Sequence, residues 1–269
     1  MRVVLTGILC AELLLAAGCS WFEKPQTSGQ TQRGMAAPTG ALPGEPSIPE
    51  YICHKVATPI TIDGVLSEPA WKRAATTGRF TSWSDKFIPR YETQVRVLWD
   101  DQNLYIAFEC EDGDIEATMK ERDANLWEEH EIAEVFIDPG NTQRTYYEFG
   151  FTPQGAVDDL IIPNFGAPRS LAGEKCWDCK GMLSAVKVNG SLNDPKDTDR
   201  GWTVEAALPL VNFSGAPHLP PKPGDTWRIN FYRWENSFGK IELQAWSPTL
   251  GPGPNPHVPR RFGILRFAE

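Results

Sequence analysis

The sequence predicts an all-β fold, an antiparallel β-sandwich of immunoglobulin-like or jelly-roll-like type with a few short helical turns. Three observations carry that reading. Apolar and polar residues alternate with period two through many short runs, as in strands that bury one face. Gly, Pro, Asn and Asp punctuate those runs, and no stretch sustains a helical period. Two neighbouring runs also agree in register. Pairing 94–99 with 104–111 across the turn Asp100-Asp101-Gln102-Asn103 sets Val95, Val97 and Trp99 opposite Phe108, Ile106 and Leu104, so both apolar faces coincide.

Composition narrows the class further. A chain of 269 residues with 41% apolar and 23% charged residues can bury a core without staples. Ten Trp and 23 Pro suit aromatic-lined strands separated by loops. The formal charge of -9 excludes nucleic acid as a partner, because phosphate binding needs a basic stripe, and favours a neutral or cationic ligand.

Residues 1–18 read as a signal peptide: Arg2, then an apolar run ending in Leu13-Leu14-Leu15-Ala16-Ala17-Gly18 directly before Cys19. Small residues before a cysteine resemble a bacterial lipobox, so Cys19 is the expected lipidation site. Alanine stands third before it, and Glu12 breaks a run too short to span a bilayer comfortably. The mature chain is then extracytoplasmic and lipid-anchored to the cell envelope. By resemblance to lipoprotein sorting rules, Ser20 after the cysteine leans toward the outer membrane. Residues 19–50 hold Pro25, Pro38, Pro43, Pro46 and Pro49 among Gly, Ser, Thr and Gln, and read as a flexible tether with a reach of roughly 30 Å.

The domain is expected over 51–269, as a monomer. Residues 60–62 read as a short strand turning at Asp63-Gly64 into a helical turn that buries Trp71. After the hairpin, Ala133, Val135 and Ile137 alternate with Glu134, Phe136 and Asp138. Across the turn Pro139-Gly140-Asn141, Tyr147, Phe149 and Phe151 alternate with Tyr146, Glu148, Gly150 and Thr152. One face of this pair is core, and the other presents Glu134, Glu148 and Tyr146 together, with Trp127 just upstream. Residues 182–188 read as a strand. Trp202, Val204 and Ala206 form the core side of a strand over 201–208, and Trp227, Ile229 and Phe231 that of one over 226–235. The opposite side of the latter carries Arg228, Asn230, Tyr232 and Trp234, a row of polar and aromatic side chains. Strands over 242–246 and 262–267 close the domain.

With IDGVLSEPAW, VRVLWDDQNLYIAFECED, LWEEHEIAEVFIDP, YYEFGFTPQG, GWTVEAALP, PGDTWRINFYRWE, AWSPT and HVPRRFG in this order, the chain resembles family 9 carbohydrate-binding modules from Ile52 onward. The resemblance implies a β-sandwich whose concave face binds sugars, often between two tryptophans, with structural calcium in some members. It places Trp127 at the first clamp tryptophan, Glu134 at a sugar-bonding carboxylate and Asn230 at a neighbouring polar position. Pro256 and His257 stand where the second tryptophan would fall, and Glu148 stands near a family arginine. The segment from Trp127 to Phe136 is one residue longer than in clamp-type members.

An indole offers a flat apolar face to sugar C–H groups, and a nearby carboxylate accepts hydroxyl hydrogen bonds. The expected binding set is therefore Trp127, Glu134, Tyr146, Glu148, Asn230, Tyr232, Trp234 and His257, with no catalytic residue. Against it stand blander readings, in which Trp127 caps the core edge and Glu134 pairs with Arg96 or Arg233. Two further alternatives are a glycosidase pair drawn from Glu131, Glu134 and Glu148 and a haem held by His130 with Met119 or Met182, as in relatives of the sandwich. In an oxidising compartment Cys176 is expected to bridge Cys179, and Cys53 to bridge Cys110. Asp100-Asp101 and Glu111-Asp112-Gly113-Asp114 have the composition of calcium-binding or simply solvated turns.

Overall fold

The protein is described by a computed structural model covering residues 41–129, 131–162 and 177–269. By contacts the chain divides into two units, Met1–Met35 and Ala36–Glu269, and every described residue belongs to the second. The signal segment, Cys19, His130 and Cys176 lie outside the described residues.

Strands β1 (Glu50–Lys55), β2 (Thr81–Ser82), β3 (Thr93–Trp99), β4 (Asn103–Glu111), β5 (Ile132–Asp138), β6 (Tyr146–Phe151) and β7 (Val157–Ile162) are followed by β8 (Leu183–Asn189), β9 (Gly201–Pro209), β10 (Thr226–Glu235), β11 (Glu242–Ala245) and β12 (Gly263–Ala268). They hydrogen-bond in the order β7-β6-β5-β10-β12-β1-β3-β4-β9-β8, with β11 on the side of β10 and β2 beyond it. The two ends of this continuous sheet fold onto each other as a sandwich. Phe108 of β4 meets Phe231 of β10 edge-on at 5.9 Å in the core between them. Residues read as core from alternation, including Val97, Val135, Phe149, Val204 and Ile229, all lie in that core. The hairpin pairs as expected, Val95 with Phe108, Val97 with Ile106 and Trp99 with Leu104.

The outer face of the hairpin is covered rather than wet. Helix α1 (Pro69–Arg73) opens on proline, which suits a first helical turn, and buries Trp71 against Leu98, Tyr105 and Ala107. Its indole donates to Glu205 at 2.7 Å, while the other oxygen of Glu205 accepts the backbone N–H groups of Asp63 and Gly64. That capture replaces the strand expected over 60–62: these residues form none, and the first strand lies earlier, at β1.

Three other expectations are corrected. The sheet is not wholly antiparallel, because β1 inserts between β12 and β3 and runs parallel to both. The end of the expected tether packs onto the domain, where Glu45 pairs with Arg260 through two bonds of 2.7 and 2.8 Å and the Pro46 carbonyl accepts from Arg261. Cys53 and Cys110 are free and buried. Pairing of His54 with Leu98 and of Cys110 with Thr93 sets Cys53 beside Val97 and Cys110 beside Thr93 on opposite flanks of β3, four residues or about 13 Å apart along the strands, too far for a bridge. Cys179 is also free, and its expected partner Cys176 lies outside the described residues.

Candidate functional site

The non-core face of β5, β6, β7 and β10 forms a grid that can be read from register. One row runs Tyr232, Glu134, Gly150, Asp158, and the next runs Asn230, Phe136, Glu148, Leu160. Trp234 and Ile132 pair above the first row, and Tyr146 lies opposite Ile162 below the second. The sandwich thus brings together Glu134, Tyr146, Glu148, Asn230, Tyr232 and Trp234 from strands far apart in sequence. His257 joins them from the loop before β12, with Nδ1 2.7 Å from the Tyr146 hydroxyl and 3.9 Å from Glu148.

The members differ in what they can touch. Tyr146, Tyr232 and Asn230 are fully buried. The Asn230 amide donates to the Tyr232 hydroxyl at 2.6 Å and the Ser247 carbonyl at 2.9 Å, and its oxygen accepts from the Ser247 N–H. Asn230 therefore holds the segment after β11, and Tyr232, which donates to the Pro256 carbonyl, holds the loop that carries His257. Phe136 stacks on Tyr146 at 5.7 Å and meets Tyr232 edge-on, so these rings form a floor. Glu148, Trp234 and His257 are part-exposed.

Trp127 is 55% exposed on a single 3-10 turn, Leu126–Glu128, which removes the reading of it as a cap on the core. Its neighbour Leu126 packs with Ile132, Ala156 and Trp234, placing the turn at the Glu134 end of the face. Trp83, which sequence did not single out, packs against the floor from the stretch after β2. Asp158 escaped notice because β7 carries two successive aspartates, which leaves the parity of VDDLII ambiguous.

Glu134 is the unusual group. It is 4% exposed, its Oε2 has no partner among the described residues, and the Trp234 indole donates to the carboxyl. Burial, reinforced by Asp158, pushes its pKa up from 4.5 to about 8, against the smaller opposing effect of Trp234. The ion pairs expected with Arg96 or Arg233 are not made, since Arg96 pairs with Glu109 and Arg233 points into the sandwich. A buried acid with a raised pKa is accommodated as the neutral form. Its contribution to stability is complete below about pH 4.5 and is lost as pH rises through about 8. Glu134→Gln should therefore gain in melting temperature relative to the wild type between about pH 5 and about pH 9. A difference between the two proteins that is independent of pH would contradict this assignment.

Glu131 does not share the face. It has the parity of Ala133 and lies with Asp112 and Arg233 on the inner side, so no acid–nucleophile pair of Glu131 with Glu134 exists. Arg233 donates to Asp112 at 2.7 Å and to Glu131 at 2.6 Å, with its guanidinium 5.0 Å from the Trp202 ring. This cluster also answers the calcium expectation. The carboxylates of Asp112, Glu131 and Glu235 lie within 4.8 Å of one another, but the positive charge among them is arginine. Both oxygens of Asp112 are already engaged by protein donors, Asp114 N–H, Ser237, Trp202 and Arg233. Asp100 likewise accepts from Gln102, Asn103 and Tyr105, and Asp101 pairs with Lys55. Arg122 plays the same part for Asp123, Asp159 and Asp178. These residues do not fit calcium. Of the haem set, Met119 and Met182 pack in different apolar clusters, and His130 lies outside the described residues.

A β-sandwich with an aromatic floor, an exposed and a part-exposed indole, and a buried carboxyl with one oxygen left without a partner among the described residues has on one face the features of a ligand-binding module. Residues 62–152, which contain α1 and β2 through β6, match the family described as carbohydrate family 9 binding domain-like. Among curated proteins the chain is 26% identical over 216 residues to endo-1,4-beta-xylanase A of Thermotoga neapolitana, covering 80% of this chain and 17% of the xylanase. It is 25% identical over 159 residues to exoglucanase XynX of Acetivibrio thermocellus, covering 58% of this chain and 12% of that enzyme. The chain thus spans less than a fifth of either enzyme's length. Among solved structures, a family 9 carbohydrate-binding module of Caldicellulosiruptor kristjanssonii in complex with cellotriose aligns with a TM-score of 0.56 at 13% identity, over 82% of this chain and 94% of that one. A Bacteroides uniformis protein described as a candidate carbohydrate-binding protein aligns with a TM-score of 0.64 at 17% identity, over 81% and 98%. Both likenesses concern the fold.

Proposed function

We propose that the protein binds carbohydrate without cleaving it, at the face bearing Trp127, Glu134 and Trp234, and serves polysaccharide capture beside separate glycoside hydrolases. The observation that carries this reading is the pairing of an exposed indole platform at Trp127 with the buried, unpartnered oxygen of Glu134 at the same end of the face. An apolar ring and an acceptor with no protein donor suit the C–H face and the hydroxyl edge of a sugar respectively. The family match over residues 62–152 supports it, as do the xylanase and exoglucanase whose sequences contain a similar stretch. The test is a broad glycan array probed with the folded protein. Retention of a defined set of glycans is expected, and an array with no retained glycan would overturn the reading.

The second part of the proposal is attachment to the cell envelope through an acyl group on Cys19, supported by the small residues and apolar run before it. Cys19→Ala is expected to shift the protein from the membrane fraction to the soluble fraction. A wild-type protein of unacylated mass, or a variant that stays with membranes, would refute the anchor.

A further inference from the structure

The indoles of the outer face stand in a line across the strands. Register sets Leu243 of β11, Trp234 of β10 and Ile132 of β5 side by side. The line continues past β11, because Ser82 of β2 pairs with Gln244 and the next residue, Trp83, donates its backbone N–H to the Leu243 carbonyl at 3.1 Å. The Trp83 carbonyl in turn accepts from the Leu250 N–H at 3.0 Å and the Thr249 hydroxyl at 3.3 Å, which fixes the backbone there. Trp83 and Trp234 both pack on the cluster that contains Leu243, Tyr232 and Phe136, and both are part-exposed. At the other end lies the turn that bears Trp127, where Leu126 packs with Ile132 and Trp234 and its Cδ1 would stand 3.7 Å from a Cβ at Gly150 of β6. Neighbouring strands lie about 4.8 Å apart, so the backbones of Trp83 and Trp234, two strands apart, are separated by about 10 Å, and the whole line spans roughly 14 to 19 Å.

Resting on the carbohydrate reading above, we infer that the ligand is the interior of an extended β-1,4-linked pyranose chain, laid across the strands from Trp83 over Trp234 to Trp127, rather than a single sugar at a chain end. An indole and a pyranose ring are of similar size, so a terminal sugar would use one platform and leave the others idle. Platforms in a line, with Trp234 in the middle, suit a ligand that continues on both sides of the ring bound at the centre. The straightness of the line selects the linkage. Equatorial β-1,4 bonds give a straight chain with C–H groups on both faces of every ring, whereas an α-1,4-linked chain coils away from a flat row. The central platform also carries the polar contact, because the Trp234 indole donates to the carboxyl of Glu134, whose Oε2 has no partner among the described residues. Trp83 stands at the margin of the sheet, where β2 has β11 as its one neighbour among the described residues, so no further strand closes the row at that end.

The test is calorimetric titration of the full chain with β-1,4-linked oligomers of glucose, xylose and mannose, each of two, four and six units, and with the six-unit oligomers reduced at the terminal aldehyde. For at least one of these sugars, affinity should rise about tenfold or more from two units to six, and reduction should change the six-unit affinity by less than about twofold. Trp83→Ala, checked for folding by its melting temperature, should weaken the six-unit oligomer about tenfold and flatten the dependence on length. Trp83→Leu, which keeps apolar contact with the floor but offers no platform, takes its place if the alanine variant unfolds. Equal affinity for two and six units, loss of binding on reduction, or unchanged six-unit affinity in the folded Trp83 variant overturns the inference and leaves the carbohydrate reading standing. A glycan array that retains only glycans of other linkages, with no oligomer bound, does the same. Failure of every oligomer together with an empty array removes both.

Discussion

Replacing Arg233 by methionine is expected to cost roughly 3 to 5 kcal/mol of stability, the usual price of removing one partner from a buried ion pair. Arg233, Asp112 and Glu131 have fully buried side chains, and one guanidinium nitrogen serves both carboxylates. Without it, two acids would remain in the core with only neutral donors, among them Ser237 and the Asn236 N–H. Burial already holds Glu131 up at about pH 8 even with the arginine opposing that shift, so the variant should take up a further proton there. Its loss of stability should therefore deepen as pH rises, because the ionised cluster is the form it cannot accommodate. In a domain of this size the melting temperature should fall by roughly 6 to 20 °C. Denaturant titration at two pH values measures the effect. A loss below about 1 kcal/mol would show that the cluster is not the internal counter-ion site described above.

Trp127→Ala is expected to weaken carbohydrate binding about thirtyfold, the equivalent of roughly 2 kcal/mol for removal of an aromatic hot spot. The indole stands mostly in solvent on a one-turn 3-10 segment, so folding has little to lose, and the melting temperature should stay within a few degrees of wild type. Trp99→Ala provides the contrast. That indole is 1% exposed, donates to the carbonyls of Cys53 and Ala268 and meets Phe267 edge-on at 5.4 Å. Its truncation should cost roughly 3 to 5 kcal/mol. Titration of both variants against a glycan taken from the array separates the roles. Undiminished affinity in Trp127→Ala, or its gross unfolding, would return Trp127 to a structural part.

Much of the architecture is legible in the sequence, and for one physical reason. Strand geometry alternates side chains with period two, so Val95 and Phe108, Val135 and Phe149, or Trp227 and Phe231 declare their side of the sheet without reference to what lies across from it. The same alternation sorted Glu134, Tyr146, Glu148, Asn230, Tyr232 and Trp234 onto the other side. Arg233 carried a signal of its own, as a charge on the apolar parity of β10, matched by Glu131 before Ala133 on β5.

Alternation says nothing about which strand is the neighbour or what covers a face. Only the tertiary structure decided that β10 lies against β5, which sets Tyr232 opposite Glu134 across nearly a hundred residues of intervening chain. It also decided that β1 enters parallel between β12 and β3, which carries Cys53 away from Cys110. It turned Asn230 and the tyrosines from ligand contacts into support, because their hydrogen bonds are spent on Ser247, Pro256 and His257, all brought in by later segments. Period two determined the side of each residue, whereas partner and exposure arise from long-range packing that no local pattern encodes.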